Sequence, residues 1–207
     1  MKQPKIVIVN YGIGNTHSVY NAIKYLGYNK IQISDNEDVI ETADALILPG
    51  VGAFEACANN LRDRNLHNIL GEQVLGVNKP ILGICVGMQL LASFSEENGI
   101  HEGLDWIKAK VVKLQLPQGF AVPHVGWNNV KTNGNQSLFV RNQEDSNFYF
   151  DHSYHFECDE QFVAGYCDYG IKVTAAVQHK NIFGVQFHPE KSQTSGLKLF
   201  RSFFNSI

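Results

Sequence analysis

At 207 residues, with 44% hydrophobic and 18% charged residues, the chain is long enough to bury an ordinary core and is not composed like a disordered segment. A formal net charge of -3 without an extended Lys/Arg cluster excludes a nucleic-acid footprint, and no run of about 20 apolar residues is present for a membrane span. The N-terminal apolar run is too short for a secretory segment, so a cytoplasmic location is expected.

The first apolar run, "KIVIV" (5–9), gives way to the turn-rich "NYGIGN", after which Val19, Ala22, Ile23 and Leu26 recur at helical spacing and stop at Gly27. This predicts strand, loop, helix. The theme returns in "ALILPGVGAF" (45–54), an apolar strand ending in Pro49 and Gly50, followed by a helical face of Leu66, Ile69, Leu70 and Val74. "PILGIC" (80–85) predicts another buried strand, and "GMQLLASF" (87–94) predicts a helix directly after it. Apolar strands without polar alternation, separated by helices, predict a mostly parallel sheet with helices on both faces. Later, "FYFDHSYHFE", "KVTAAVQ" and "IFGVQFH" read as strands joined by short turns such as "HKN", an antiparallel extension of the same sheet. A last helix over residues 194–204 carries Leu197, Leu199, Phe200, Phe203 and Phe204. The expected fold is α/β, a single flavodoxin-like domain over residues 1–207 with a mixed, mostly parallel sheet.

Three chemically loaded segments each follow a predicted strand: "PGVG" (49–52), "GICVG" (83–87) and "HPE" (188–190). In an open α/β sheet the carboxyl ends of the strands share one edge, so the three can meet there. G-x-C-x-G is the cysteine form of a nucleophile elbow, a sharp strand-to-helix turn that crowds the positions two residues either side of the nucleophile. A helix N-terminus behind Cys85 favours the thiolate. Taken alone, the pattern also suits a buried structural cysteine between close-packed elements. His188 and Glu190 supply what a thiolate needs: an imidazole to pair with it and to protonate a leaving group, and a carboxylate to orient that imidazole. Pro189 stiffens the segment that carries them. The glycine-rich turn at 49–52 offers unobstructed backbone N–H groups for an oxyanion.

Together, "PGVGAF", "GICVGMQLL" and "GVQFHPEKS" resemble the class I, triad-type glutamine amidotransferases over essentially the whole chain. The resemblance implies hydrolysis of L-glutamine through a thioester on Cys85, with His188 as acid and base and Glu190 orienting it. It also implies an oxyanion hole from the backbone of Val51 and Val86, and a glutamine site at Gly52, Gln89, Ser153 and Tyr154. Asn15, Trp127 and Lys191 would face a synthase partner in a heterodimer. "NYGIGN", "PHVGWN", "YFDHSYHF" and "HPEKS" are similar to glutaminase subunits serving a separate synthase of histidine biosynthesis. "HSYHF" and "HPEKSQ" are also similar to subunits that feed sugar-modifying synthetases of surface-polysaccharide pathways, so the ammonia acceptor stays open. Asp151, where a small apolar residue is usual, and Val86, where leucine is usual, depart from the family pattern without removing a catalytic group.

A cysteine hydrolase or peptidase of the same architecture, and a binding module without catalysis, are the competing readings; Gln89 and the complete Cys-His-Glu set argue against both. No cofactor is expected. "YGIGN" lacks the third glycine of a dinucleotide loop, and no acidic residue is expected to close the next strand in the required way. "HSYHFEC" has the composition of a metal site, but in one continuous strand His152 and His155 point to opposite faces, so no metal is expected. Cys57, Cys158 and Cys167 form no CxxC pair and read as structural. Trp127 reads equally as a half-buried core residue or an interface anchor.

Overall fold

The computed structural model describes residues 3–132, 137–139 and 146–207. In chain order the first half comprises β1 (Ile6–Val9), α1 (Thr16–Tyr25), β2 (Ile31–Ser34), α2 (Glu37–Glu41), β3 (Ala45–Gly50), α3 (Phe54–Asp63), α4 (Leu66–Gly71), β4 (Ile81–Cys85) and α5 (Val86–Gln89). The second half comprises β5 (Phe94–Ser95), β6 (His101–Glu102), β7 (Ala109–Lys113), β8 (His124–Thr132), β9 (Ser146–His152), β10 (Tyr154–Cys158), β11 (Val163–Asp168), β12 (Lys172–His179), β13 (Ile182–Val185) and α6 (Gln193–Asn205).

A nine-stranded sheet runs in the order β2-β1-β3-β4-β13-β12-β11-β8-β9. From β2 to β13 neighbours are parallel, and from β13 to β9 they are antiparallel, so the expected extension is as wide as the parallel part. Every residue of β1, β3, β4 and β13 is buried, which requires cover on both faces. That cover comes from two helical groups: α1 packs with α6, and α2 and α3 each pack with α4. The last helix matches its predicted span to within a residue at each end.

Two features depart from the sequence reading. The segment read as one strand, "FYFDHSYHFE", is two strands broken at Ser153, with β9 in the large sheet and β10 in a second sheet of order β10-β7-β5-β6. The helix expected over residues 87–94 is a single turn. Its continuation is pre-empted: the carbonyls of Leu90, Leu91 and Ala92 accept from the N–H groups of Leu104, Trp106, Ile107 and Asp105, which arrive from later in the chain. Asp35, which follows β2, has its carboxylate paired with Arg64 Nη1 at 3.1 Å.

The elbow rests on close backbone approach. A Cβ on Gly83 would lie 2.6 Å from the Gly87 carbonyl oxygen, and one on Gly87 would overlap the Leu48 carbonyl of β3. Gly87→Ala therefore has to push α5 off β3. The expected cost is about 3 kcal/mol, read as a lowered urea midpoint at unchanged slope; a wild-type midpoint would show that the approach is not needed.

Candidate active site

Parallel pairing aligns the three loaded segments. Gly50 at the end of β3 pairs with Cys85 at the end of β4, and Val185 of β13 pairs with Ile84, so the chain leaving β13 reaches His188 beside the cysteine. Cys85 has φ 55° and ψ -114°, a conformation that L-residues avoid and that an elbow imposes. Its side chain lies at a cavity of about 400 Å³, where the residue is 3% exposed.

The histidine is fixed from several sides. Its backbone N–H donates to Tyr149 O of β9 at 2.9 Å, and Ser192 Oγ, which accepts from Tyr149 N at 3.0 Å, donates to His188 O at 2.5 Å. Phe187 stacks on Phe148 with centroids 3.9 Å apart, anchoring the same segment in the core. The His188 Nδ1 atom sits 2.8 Å from Glu190 Oε1, whose side chain is 1% exposed, and the imidazole lines the same cavity as Cys85. Burial works against a charge on His188, but the hydrogen bonds and negative charges of Cys85 and Glu190 outweigh it and hold the group raised to about 10.

A second histidine lines the cavity and behaves oppositely. His152 is pushed down to about 3 and His124 to about 4, in both cases chiefly by burial. Their tautomers follow from one backbone acceptor. His152 Nδ1 lies 2.9 Å from Tyr154 O and must donate, which leaves Nε2 to accept from His124 Nδ1 at 3.0 Å. Both nitrogens of His152 are thus engaged and neutral, while His188 is the charged partner of the sulfur.

Of the residues singled out in the sequence, Val51, Gly52, Cys85, Val86, Gln89, Ser153, Tyr154, His188 and Lys191 all line this cavity. Glu190 stands behind His188, outside the lining. Asn15 is the residue before α1 and Trp127 lies on β8; neither reaches the cavity. Trp127 is 48% exposed, its ring 6.1 Å from that of Tyr149, over which Lys191 Nζ sits at 5.4 Å. The loop carrying Val51 is pinned by Tyr11, whose hydroxyl donates to Pro49 O at 2.6 Å, and by Cys57, whose thiol donates to Val51 O at 3.5 Å. Val86 opens α5, so its N–H has no partner within the helix.

Sequence reasoning assigned no role to Glu97, Pro123, Asp151 or His152, which also line the cavity. Glu97 sits in "SFSEENG", where no motif marks it; one of its oxygens accepts from Phe54 N at the start of α3 at 2.7 Å. Pro123 and His152 lay within quoted motifs, and the signal that could have found them was their adjacency to "VGWN" and "SYHF". His152 and His155 do not share the continuous strand expected from the sequence, because Ser153 separates them into two sheets. Among the described residues no group of three His, Cys, Asp or Glu could hold a metal ion, and no helix is long and apolar enough to cross a membrane.

Comparison with known proteins finds relatives over nearly the whole chain. The family profile of class-I glutamine amidotransferases matches residues 7–207. Imidazole glycerol phosphate synthase subunit HisH 2 of Vibrio vulnificus is 47% identical over 98% of this chain and 95% of its own length. Its counterpart in Pseudomonas aeruginosa is 44% identical over 98% of this chain and all of its own. Among solved structures, a glutamine amidotransferase superposes with TM-score 0.76 at 18% identity, covering 97% of each chain. PurLQS from Thermotoga maritima superposes with TM-score 0.74 at 20% identity, covering 99% of each, and both likenesses speak to the fold alone. With the family profile matched over residues 7–207 and relatives 47% and 44% identical over 98% of its length, the chain belongs to the class-I glutamine amidotransferases.

Proposed function

We propose that this chain is the glutaminase subunit of a cytoplasmic imidazole glycerol phosphate synthase. It hydrolyses L-glutamine to glutamate and ammonia, and ammonia passes to a separate synthase (cyclase) chain that forms imidazole glycerol phosphate in histidine biosynthesis. The observation that carries the glutaminase chemistry is the buried line of Cys85, His188 and Glu190 at one wall of a cavity large enough for an amino acid. The relatives named above support the histidine-pathway acceptor over a sugar-modifying synthetase. One domain over residues 1–207 serves as the glutaminase unit.

In this mechanism the Cys85 thiolate attacks the carboxamide carbon, forming the S–C bond while the carbonyl electrons move to oxygen. Backbone N–H groups of Val51 and Val86 take up that oxyanion. Protonated His188 gives its proton to the nitrogen as the C–N bond breaks, and ammonia leaves. Water then attacks the thioester carbon, its proton goes to His188, and cleavage of the C–S bond releases glutamate and restores the thiolate. Glu190 keeps the imidazole turned toward sulfur throughout. Of the cavity's charged groups, the Glu97 carboxylate suits the substrate's α-ammonium, and the backbone at Gly52, Ser153 and Tyr154 lies along the same cavity. Gln89 has both Nε2 hydrogens engaged, by Tyr154 O and by Gln186 Oε1, so its Oε1 is the atom left to accept from substrate.

The partner face is read beside the cavity, where exposed Lys191 and Trp127 flank half-buried Tyr149, and Asn15, the residue before α1, is assigned to the same face in this proposal. Ammonia set free in water is protonated and loses its nucleophilicity, so a chain docked over this cavity is what makes the glutaminase useful.

Cys85→Ala is expected to abolish glutamate release in a coupled dehydrogenase assay while the protein keeps its circular dichroism spectrum; retained turnover would remove Cys85 from the mechanism. For His188, the ordinary value is 6.5 and the folded value is raised to about 10. Its contribution to stability is therefore fully present below pH 6.5 and fades as pH rises through about 10. Histidine-selective NMR should show the His188 ring still protonated above neutrality, with Glu190→Gln moving its titration downward; a midpoint near 6.5 in the unaltered protein would contradict the charged pair. Trp127→Ala is expected to weaken the synthase complex about 30-fold, about 2 kcal/mol, by isothermal calorimetry, and unchanged affinity would take Trp127 off the interface.

A further inference from the structure

Gln186 follows β13 directly and is 0% exposed, two residues before His188, with no part in the chemistry described so far. A primary amide buried this deeply costs stability unless its donors and acceptor are used. Its surroundings use them in one order only. The chain of contacts begins at the carbonyl of Tyr154, which can only accept. That fixes the atom of Gln89 lying 3.0 Å away as the nitrogen Nε2. The same nitrogen lies 3.1 Å from the Gln186 amide, so the Gln186 atom facing it is the oxygen Oε1. The other end of Gln186 is then Nε2, a donor, and it lies 3.9 Å from Cys85 Sγ, within hydrogen-bonding range of the larger sulfur atom. A backbone carbonyl in β10 thus dictates, through two glutamines, that the nucleophile meets an N–H and not a C=O.

We infer that Gln186 is a donor to the Cys85 thiolate, held in its productive orientation by the Tyr154–Gln89–Gln186 chain, and that it sets the fraction of sulfur present as the nucleophile. The inference rests on the reading of Cys85 as the nucleophile. An N–H aimed at sulfur favours the charged form, as does the imidazolium of His188 on the same atom. The opposing contact is also present. Asp151 O lies 4.0 Å from Sγ and can accept only from the neutral S–H. Cys85 Sγ therefore faces a backbone acceptor at 4.0 Å and an amide donor at 3.9 Å, and Gln186 is a donor that carries no charge. Unlike His188, it has no proton to give up, so its contribution persists across pH and through the protonation cycle of the imidazole.

The test compares Gln186→Met, which keeps length and loses the donor, with Gln186→Glu, which keeps shape and offers sulfur a carboxylate. Alkylation of Cys85 by iodoacetamide is followed against pH by mass spectrometry of its peptide, which separates it from the other three cysteines, in the subunit complexed with its synthase. Gln186→Met should move the alkylation midpoint up by about one pH unit or more, the worth of a hydrogen bond to a charged group. Gln186→Glu should move it further. In glutamine turnover, kcat should fall about tenfold with KM held within about twofold, a split expected of an interaction with the reacting atom and not with bound substrate. A midpoint equal to wild type in either folded variant overturns the inference, as does a loss confined to KM. The outcomes also separate this inference from the reading beneath it. If Cys85→Ala still hydrolyses glutamine, the nucleophile is misassigned; if Cys85→Ala is inactive while the Gln186 variants keep the wild-type alkylation profile, only the role of Gln186 fails.

Discussion

Cys85 holds a backbone conformation that an isolated chain would leave, and its placement at the cavity depends on the packing that keeps it there. The packing is backbone against backbone. The first turn of α5 lies so close to β3 that the Leu48 carbonyl occupies the space a Cβ of residue 87 would need, while Gly50 leaves room for the Gly87 amide and Gly83 for its carbonyl. Three glycines on two adjacent parallel strands and one short helix therefore form a single constraint. Strain of this kind persists only where the surroundings over-determine it, and here the fully buried strands β3, β4 and β13 supply that rigidity. The one-turn helix behind the sulfur adds N–H groups without partners inside the helix more than a long macrodipole.

The histidine is delivered by a different device. Where the elbow is held by the absence of side chains, the segment 186–192 is held by their presence: Phe187 on Phe148, Ser192 bridging Tyr149 N and His188 O, and Glu190 against Nδ1. The anchoring partners Phe148 and Tyr149 belong to β9, at the far edge of the antiparallel half of the sheet. The antiparallel extension is thus part of the candidate site and not decoration on a parallel sheet, because β9 holds the segment that carries the His188 imidazole.

The break at Ser153 links the two sheets and organises the polar interior. Tyr154 O, just past the break, accepts from both His152 and Gln89, so one carbonyl settles the tautomers of a histidine pair on one side and the orientation of two amides on the other. This arrangement separates the two cavity histidines by function. His152 is neutral with both nitrogens committed, whereas His188 carries charge because a carboxylate and the cysteine outweigh its burial. The same low-dielectric setting that suppresses one charge strengthens the pairing that sustains the other.

The sequence by itself determined the order of elements in the parallel half and the edge at which Cys85, His188 and Glu190 come together. It could do so because these depend on local rules: apolar runs, glycines two positions either side of a nucleophile, a proline-stiffened His-Pro-Glu. It was silent on Glu97, on the engagement of His152 and on Gln186, and misread "FYFDHSYHFE" as one strand and "GMQLLASF" as a helix of full length. In each case the deciding partner lies far along the chain. Residues 104–107 claim the carbonyls that would have continued α5, β7 draws Tyr154 and its successors into a second sheet, and the start of α3 holds Glu97 at the cavity. Only the tertiary structure decides such matters, because a hydrogen-bonding group chooses among the partners that folding brings within about 3 Å, and sequence spacing carries no record of that distance.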